Sequence, residues 1–492
     1  MATATAPTGA KVPIRQTKLF IDGEFVDAAS GKTFATLNPA TGDVLAEVAE
    51  ADKADVDKAV RAARRAFESG PYPKMSARDR GRLLQRLGDL IVENAEELAR
   101  LEALDNGKPI TEARHVDMPM SAGTFYYYAG WADKIEGTVI PVSGPYLNYT
   151  RREPVGVVGQ IIPWNFPLGM LAWKIAPAIC CGCTVVLKPA EQTPLTALRF
   201  AELCLEAGVP KGVINILPGF GETAGAAISG HPDVDKVAFT GEWKTGQIIM
   251  RAAAGNLKRV SLELGGKSPN IVFDDAEIPA AIKGAMAGVF FNQGEVCCAG
   301  TRLFVQSGIH KEFVQELANV AKSIKVGDPL DDATQQGAQV SQEQMEKILG
   351  YIDIGQKEDK AKLVCGGQRV GQRGYFVQPT VFDSVNNDMR IAQEEIFGPV
   401  VVAIDFKSLD EVIAAGNKTM YGLAAGVWTK DITKAHKVAH GLRAGTVWVN
   451  TYNAFDPGSP FGGYKFSGFG RENGRQVLDN YTEWKSIWIG LN

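Results

Sequence analysis

Cysteine is scarce in this 492-residue chain, at seven, and the count is odd. The positions 180, 181, 183, 204, 297, 298 and 365 match no disulfide framework, and side chains of adjacent cysteines diverge too far to bridge well. A reducing compartment is the consequence. Histidine is scarcer, at five, and no second Cys/His cluster with ligand spacing follows Cys180, Cys181 and Cys183, so no metal is expected. His436 and His440, four apart on an expected helix, lack the glutamate of a zinc-protease motif and read as surface residues. A net charge of −4 gives no electrostatic reason to expect nucleic acid or an anionic membrane as a partner. Apolar stretches such as 155–162 and 284–291 are far too short to cross a bilayer. The opening MATATAPTGAKVPIRQ has no secretory apolar core and is not Arg-rich, so it reads as a flexible tail on a cytoplasmic protein. A strict GxGxxG is missing as well.

What is present is an ordinary globular composition, 45% hydrophobic and 22% charged, in a chain too long for one core. Val56, Ala59, Val60, Ala63 and Phe67 share a helical face that Ser69-Gly70 ends. Ser76 opens a second helix with Leu83, Leu84, Leu87, Leu90 and Ile91 inward. Strands are expected at 155–162, 184–188, 213–217, 236–240 and 270–273, alternating with helices. This pattern gives an α/β protein with a mostly parallel sheet. A second α/β set begins near 284, with strands at 302–306, 400–406 and 446–450, which places a boundary near 263–270. The stretches 137–150 and 481–491 alternate like strands that need a sheet to join; they suggest an arm reaching another subunit, or a simple edge strand of their own domain.

Several residues could carry chemistry, and each also has a plain structural explanation. GFGETAG (219–225) and TGEWKTG (240–246) follow strands and could turn backbone N–H groups toward a pyrophosphate, or be tight turns. Glu191 lies just past strand 184–188, where an acid binds a ribose 2′-OH and repels a 2′-phosphate, favouring NAD over NADP; with Lys188 it could equally be a surface ion pair. PWNFP (163–167) fixes Asn165 between two prolines at a strand end, where a rigid amide suits an oxyanion. Glu263, beside leucines and two glycines, is placed for a desolvated general base. Cys297 and Cys298 sit in the glycine-flanked turn GEVCCAG, and a thiolate needs no serine-type triad to attack.

In combination, PWNFP, KPAEQTP, FTG, LELGGKSP, FFNQGEVCCAG, EEIFGPV and SPFGGYKFSGFGRE resemble the NAD(P)-dependent aldehyde dehydrogenases, from roughly residue 18 to the C-terminus in one order. The resemblance implies two Rossmann-like α/β domains and a small β oligomerisation arm. The expected division is a cofactor-binding domain (1–134 and 154–263), a catalytic domain (264–465), and the arm with a C-terminal strand (135–153 and 466–492). It implies Cys297 as nucleophile with Cys298 as bystander, Glu263 as water-activating base, Asn165 as oxyanion amide and Lys174 as an active-site lysine. Lys188 and Glu191 would hold the adenine-side ribose of NAD, and Glu395 and Phe397 the nicotinamide side. Ile162, Pro163, Trp164, Gly221, Thr240, Gly241, Gly246 and Leu264 would complete the cofactor cleft. Phe166, Met170, Trp173, Val296, Phe455 and Phe461 would wall an aldehyde tunnel.

The implied reaction runs through a cysteine thiohemiacetal and thioester to a carboxylic acid, in a cytoplasmic homodimer or homotetramer. CoA-acylating chemistry and a non-catalytic protein that kept the fold are the alternatives. One departure stands out: Glu242-Trp243 occupies the place of small hydroxyl residues after FTG. The expectation is that these side chains point away while the backbone still binds.

Overall fold

The chain's computed structural model describes residues 12–491. Residues 1–11 of the expected flexible tail lie outside them. From Val12 onward the tail is packed rather than loose: Val12 and Ile14 rest on the main core, and Arg15 pairs with Glu97 at 3.0 Å.

Strand Val157–Ile161 is buried along its whole length and organises the first half of the fold. Thr184–Lys188 and Ile214–Ile216 lie on one side of it; Lys236–Gly241 and Arg259–Leu264 lie on the other, all five parallel. The strand order therefore reverses between Val157–Ile161 and Lys236–Gly241, the kind of crevice in which α/β sheets bind ligands. Antiparallel strands Leu19–Ile21, Glu24–Val26 and Gly468–Phe469 complete this eight-stranded sheet at its edges. Strand Arg259–Leu264 was not expected from the sequence. Its register sets Thr240 opposite Glu263 and so brings the candidate base to the sheet's carboxyl end.

A second, seven-stranded sheet begins at Pro269–Val272 and is parallel except for Lys362–Cys365. Helix Pro167–Cys181 is buried at all 15 positions, because it is covered on every side by neighbouring elements rather than facing water. The expected helices appear as Lys53–Glu68 and Ala77–Glu93, capped by Asp52 and Ser76. The stretches 137–150 and 481–491 meet in one small sheet: Thr482–Gly490 pairs with Tyr146–Pro154, which pairs with Val139–Ile140. That sheet leaves Trp484, Trp488 and Ile489 exposed, and Leu491 just beyond it is exposed too. Among the described residues, no helix is long and apolar enough to cross a membrane.

Candidate active site

The loop after Val157–Ile161 leaves the sheet at the crevice. Pro167 takes the first position of its helix, where a missing N–H costs nothing and a fixed φ helps. Asn165 is thereby held buried, with its side-chain amide donating to the carbonyl of Glu295 at 2.9 Å. The thiol loop arrives from the second sheet, after helix Ile278–Phe290 and the short turn Phe291–Gly294. All seven cysteines are free; Cys297 is half-buried, while Cys298 is buried and its thiol donates to Asn453 Oδ1 at 3.7 Å.

Both loops open into one cavity of about 670 Å³. It is lined by Asn165, Glu263, Cys297, Phe166, Met170, Trp173, Val296, Phe455 and Phe461. The aromatic wall is continuous: Trp173 meets Phe461 at 5.5 Å, and Phe461 meets Phe455 at 5.7 Å between ring centroids. Val116, Met120 and Phe291 join this wall, although nothing local in the sequence marked them. The same cavity is lined by Pro163, Trp164, Thr240, Gly241, Leu264, Glu395 and Phe397. Trp164 stands edge-on to Phe397 at 5.2 Å. Glu395 accepts the Gly266 N–H at 3.0 Å, and a Cβ on Gly265 would fall 2.0 Å from its carboxylate. Glycine is required there by space.

Ile162, Lys174, Lys188, Glu191, Gly221 and Gly246 do not line the cavity. Lys188 donates to Glu191 at 3.1 Å and to the Pro189 carbonyl at 2.8 Å. A Cβ at Gly225 would touch the Lys188 stem at 3.6 Å, and one at Gly221 would meet nothing within 4 Å, so the backbone there is open to a close approach. Gly246 packs on Leu264. Lys174 lies behind the site in a buried ion pair with Glu472 at 2.7 Å. Glu472 stands in the GRE of the C-terminal motif, and its role was missed because its partner is 298 positions away.

The electrostatics follow from burial. Both Glu263 oxygens are buried without a protein hydrogen-bond partner. Desolvation, reinforced by Glu472 and Cys297 against Lys174 and Arg471, holds this carboxyl well above the usual range. Cys297 is pushed up by its hydrogen bond with the Cys298 side chain, then by burial. Glu395 is raised to about 7, chiefly by burial. At rest the site therefore holds a neutral thiol beside a carboxyl poised to exchange protons.

The unusual pair after FTG splits. Trp243 turns onto Phe466, ring centroids 5.6 Å apart. Glu242 caps helix Trp243–Ala253 without a side-chain bond and stays on the cavity rim, its side chain 57% exposed and 3.9 Å from Lys244.

The sequence matches the model of the aldehyde dehydrogenase family over residues 25–487. Human mitochondrial aldehyde dehydrogenase is 56% identical over 474 residues, covering 96% of this chain and 92% of that one. The Arabidopsis thaliana aldehyde dehydrogenase family 2 member B4 is 55% identical over 482 residues, covering 98% and 89%. A Bacillus cereus aldehyde dehydrogenase solved as its NAD⁺ complex superposes with a TM-score of 0.96 at 55% identity, covering 97% of each chain. The chain belongs to the aldehyde dehydrogenase family.

Proposed function

We propose that Cys297, Asn165 and Glu263 are the catalytic groups of this enzyme, an NAD-dependent aldehyde dehydrogenase. One observation carries the reading: a single cavity is lined by these three side chains together with Thr240, Glu395 and Phe397. The residues around Thr240 fit a dinucleotide. The hydroxyl of Thr240 is buried there without a partner, Gly221 leaves its surroundings open, and Gly225 lies against the stem of Lys188, which is paired with Glu191. Glu191 would take the adenine-side ribose hydroxyl and Glu395 the nicotinamide-side ribose. NAD, when bound, supplies the hydride acceptor.

The chain's own residues do the rest. The Cys297 thiol loses its proton to solvent and its sulfur attacks the aldehyde carbon, moving the carbonyl π electrons onto oxygen as the oxyanion of a thiohemiacetal. The Asn165 amide, with a backbone N–H, stabilises the oxyanion; losing one such donor costs about 10²–10³ in rate. Loss of hydride leaves the acyl group on Cys297 as a thioester. Glu263 then takes a proton from water, which attacks the thioester and releases the carboxylic acid. Lys174, paired with Glu472, tempers the charge behind Glu263.

The tunnel of Phe166, Met170, Trp173, Val296, Phe455 and Phe461 suits an apolar or aromatic aldehyde. We divide the chain into cofactor-binding (1–134, 154–263) and catalytic (264–465) domains with an arm (135–153, 466–492). The exposed Trp484, Trp488 and Ile489 on the C-terminal strand support a homo-oligomer, dimer or tetramer. Seven free thiols support a cytoplasmic setting. The test is NADH formation measured by absorbance over an aldehyde panel. Cys297→Ala abolishes it, Cys298→Ala retains it, and acid forms without CoA; the reverse pattern for the two cysteines overturns the assignment.

A further inference from the structure

The thiol loop is held in an unfavourable shape by a residue far outside every motif. Asn292 (φ 49, ψ 43) and Gln293 (φ 45, ψ 29) are consecutive left-handed residues, a conformation disfavoured wherever a Cβ is present. The Asn292 N–H donates to Glu112 Oε2 at 2.9 Å. The Asn292 side-chain amide donates to the Asn165 carbonyl at 3.0 Å and to the Glu295 carbonyl at 3.1 Å. The Asn165 amide donates to that same Glu295 carbonyl at 2.9 Å. Asn292 thus ties the backbone of one loop to that of the other. One N–H of Asn165 is anchored by the same carbonyl, and its second is left for an oxyanion.

Glu112 immediately precedes a five-residue π-helical turn, Ala113–Asp117, a rare element often found at functional sites. This layer also braces the Asn165 loop from below. Lys108 pairs with Asp117 at 2.7 Å and lies 4.3 Å over the Phe166 ring, and Glu102 accepts the Leu168 N–H at 3.2 Å. Neither Glu112 nor Asn292 lines the cavity.

We propose that Glu112 is a positioning residue that, through Asn292, sets the distance between the Asn165 amide and the Cys297 loop. The proposal rests on the oxyanion role proposed for Asn165. Glu112 is raised to about 8 by burial, against its bond from Asn292 and the nearby Lys108. Ionised or protonated, it keeps an acceptor for Asn292, and a glutamine would too.

The experiment is a double-mutant cycle on the full-length enzyme, with kcat, aldehyde KM, NAD affinity by fluorescence titration, and thermal melting read for each variant. Glu112→Ala is expected to lower kcat about 10–100-fold with aldehyde KM and NAD affinity within about threefold. Glu112→Gln stays within about threefold of wild type. In an Asn165→Ala background, Glu112→Ala costs less than about threefold more, because the amide it positions is gone. Glu112→Asp keeps the charge but withdraws the acceptor by one methylene; it carries the test, with an expected loss of about tenfold, should the alanine variant not fold. Wild-type kcat in both Glu112→Ala and Glu112→Asp, or an equal loss with and without Asn165, overturns the proposal. An Asn165→Ala enzyme of wild-type kcat sinks the oxyanion reading first, and this one with it.

Discussion

Replacing Glu295 by glutamine should stabilise the protein, and by an amount that grows with pH. Glu295 is fully buried. Its Oε1 accepts the Val340 N–H at 3.0 Å and its Oε2 the Gln293 side-chain amide at 3.0 Å. Burial raises its pKa from 4.5 to about 8, against these two hydrogen bonds and Lys108. The folded state therefore holds a proton that the unfolded chain releases, and stability is lost as pH rises from the unfolded value through the folded one. At about pH 7 the linkage costs up to ~3 kcal/mol; at about pH 5.5 it costs only ~1 kcal/mol. Glutamine cannot titrate, so this cost disappears. Its Oε1 keeps the Val340 bond. Its NH₂ needs an acceptor, and Gln293 Oε1, buried without a partner, provides one if the Gln293 amide is turned over. Melting temperatures of both proteins at about pH 5.5, pH 7 and pH 8.5 make the comparison. The expected gap widens between the first two and flattens above about pH 8. A gap that is constant with pH, or a less stable variant at the alkaline end, would refute the reasoning.

The same geometry sets three further outcomes. Because Glu263 titrates well above an ordinary carboxylate, thioester hydrolysis should slow as pH falls, leaving a burst of about one NADH per site at acid pH; Glu263→Gln should show that burst at every pH, and unchanged steady turnover in it would count against the base. Since Glu242 is largely solvated and Trp243 is turned onto Phe466, Glu242→Ser should shift the NAD dissociation constant by less than about threefold at physiological salt, by fluorescence titration. Glu191→Ala should raise the ratio of kcat/KM with NADP to that with NAD about tenfold by removing the charge that repels a 2′-phosphate, and an unchanged ratio would show that Glu191 does not set the preference.

The residues legible in the sequence share one property: local backbone chemistry marks them. Asn165 lies between prolines at a strand end, Glu263 before Gly265-Gly266, and Cys297 in a glycine-flanked turn. The α/β alternation was readable because its strands are short β-branched runs. Arg259–Leu264 alternates polar Arg259, Ser261 and Glu263 with apolar Val260, Leu262 and Leu264 and runs straight into Gly265-Gly266; its pairing with Lys236–Gly241 and Gly468–Phe469 makes it a strand. Val116 and Met120 reach the tunnel from a helical stretch with no motif. Glu112 acts on Asn292 across 180 positions, and Lys174 pairs with Glu472 across 298. Such contacts are made by the packing of layers, and no local pattern announces them.

The central claim is a covalent bond from one particular sulfur to the substrate carbon. Glu263→Gln enzyme mixed with NAD and an aromatic aldehyde, quenched in acid, digested and mapped by mass spectrometry reads that bond directly. The account predicts the acyl mass on the peptide containing residues 290–300, fragmenting to Cys297. An acyl group on Cys298, or NADH formed with both cysteines unmodified, would contradict it.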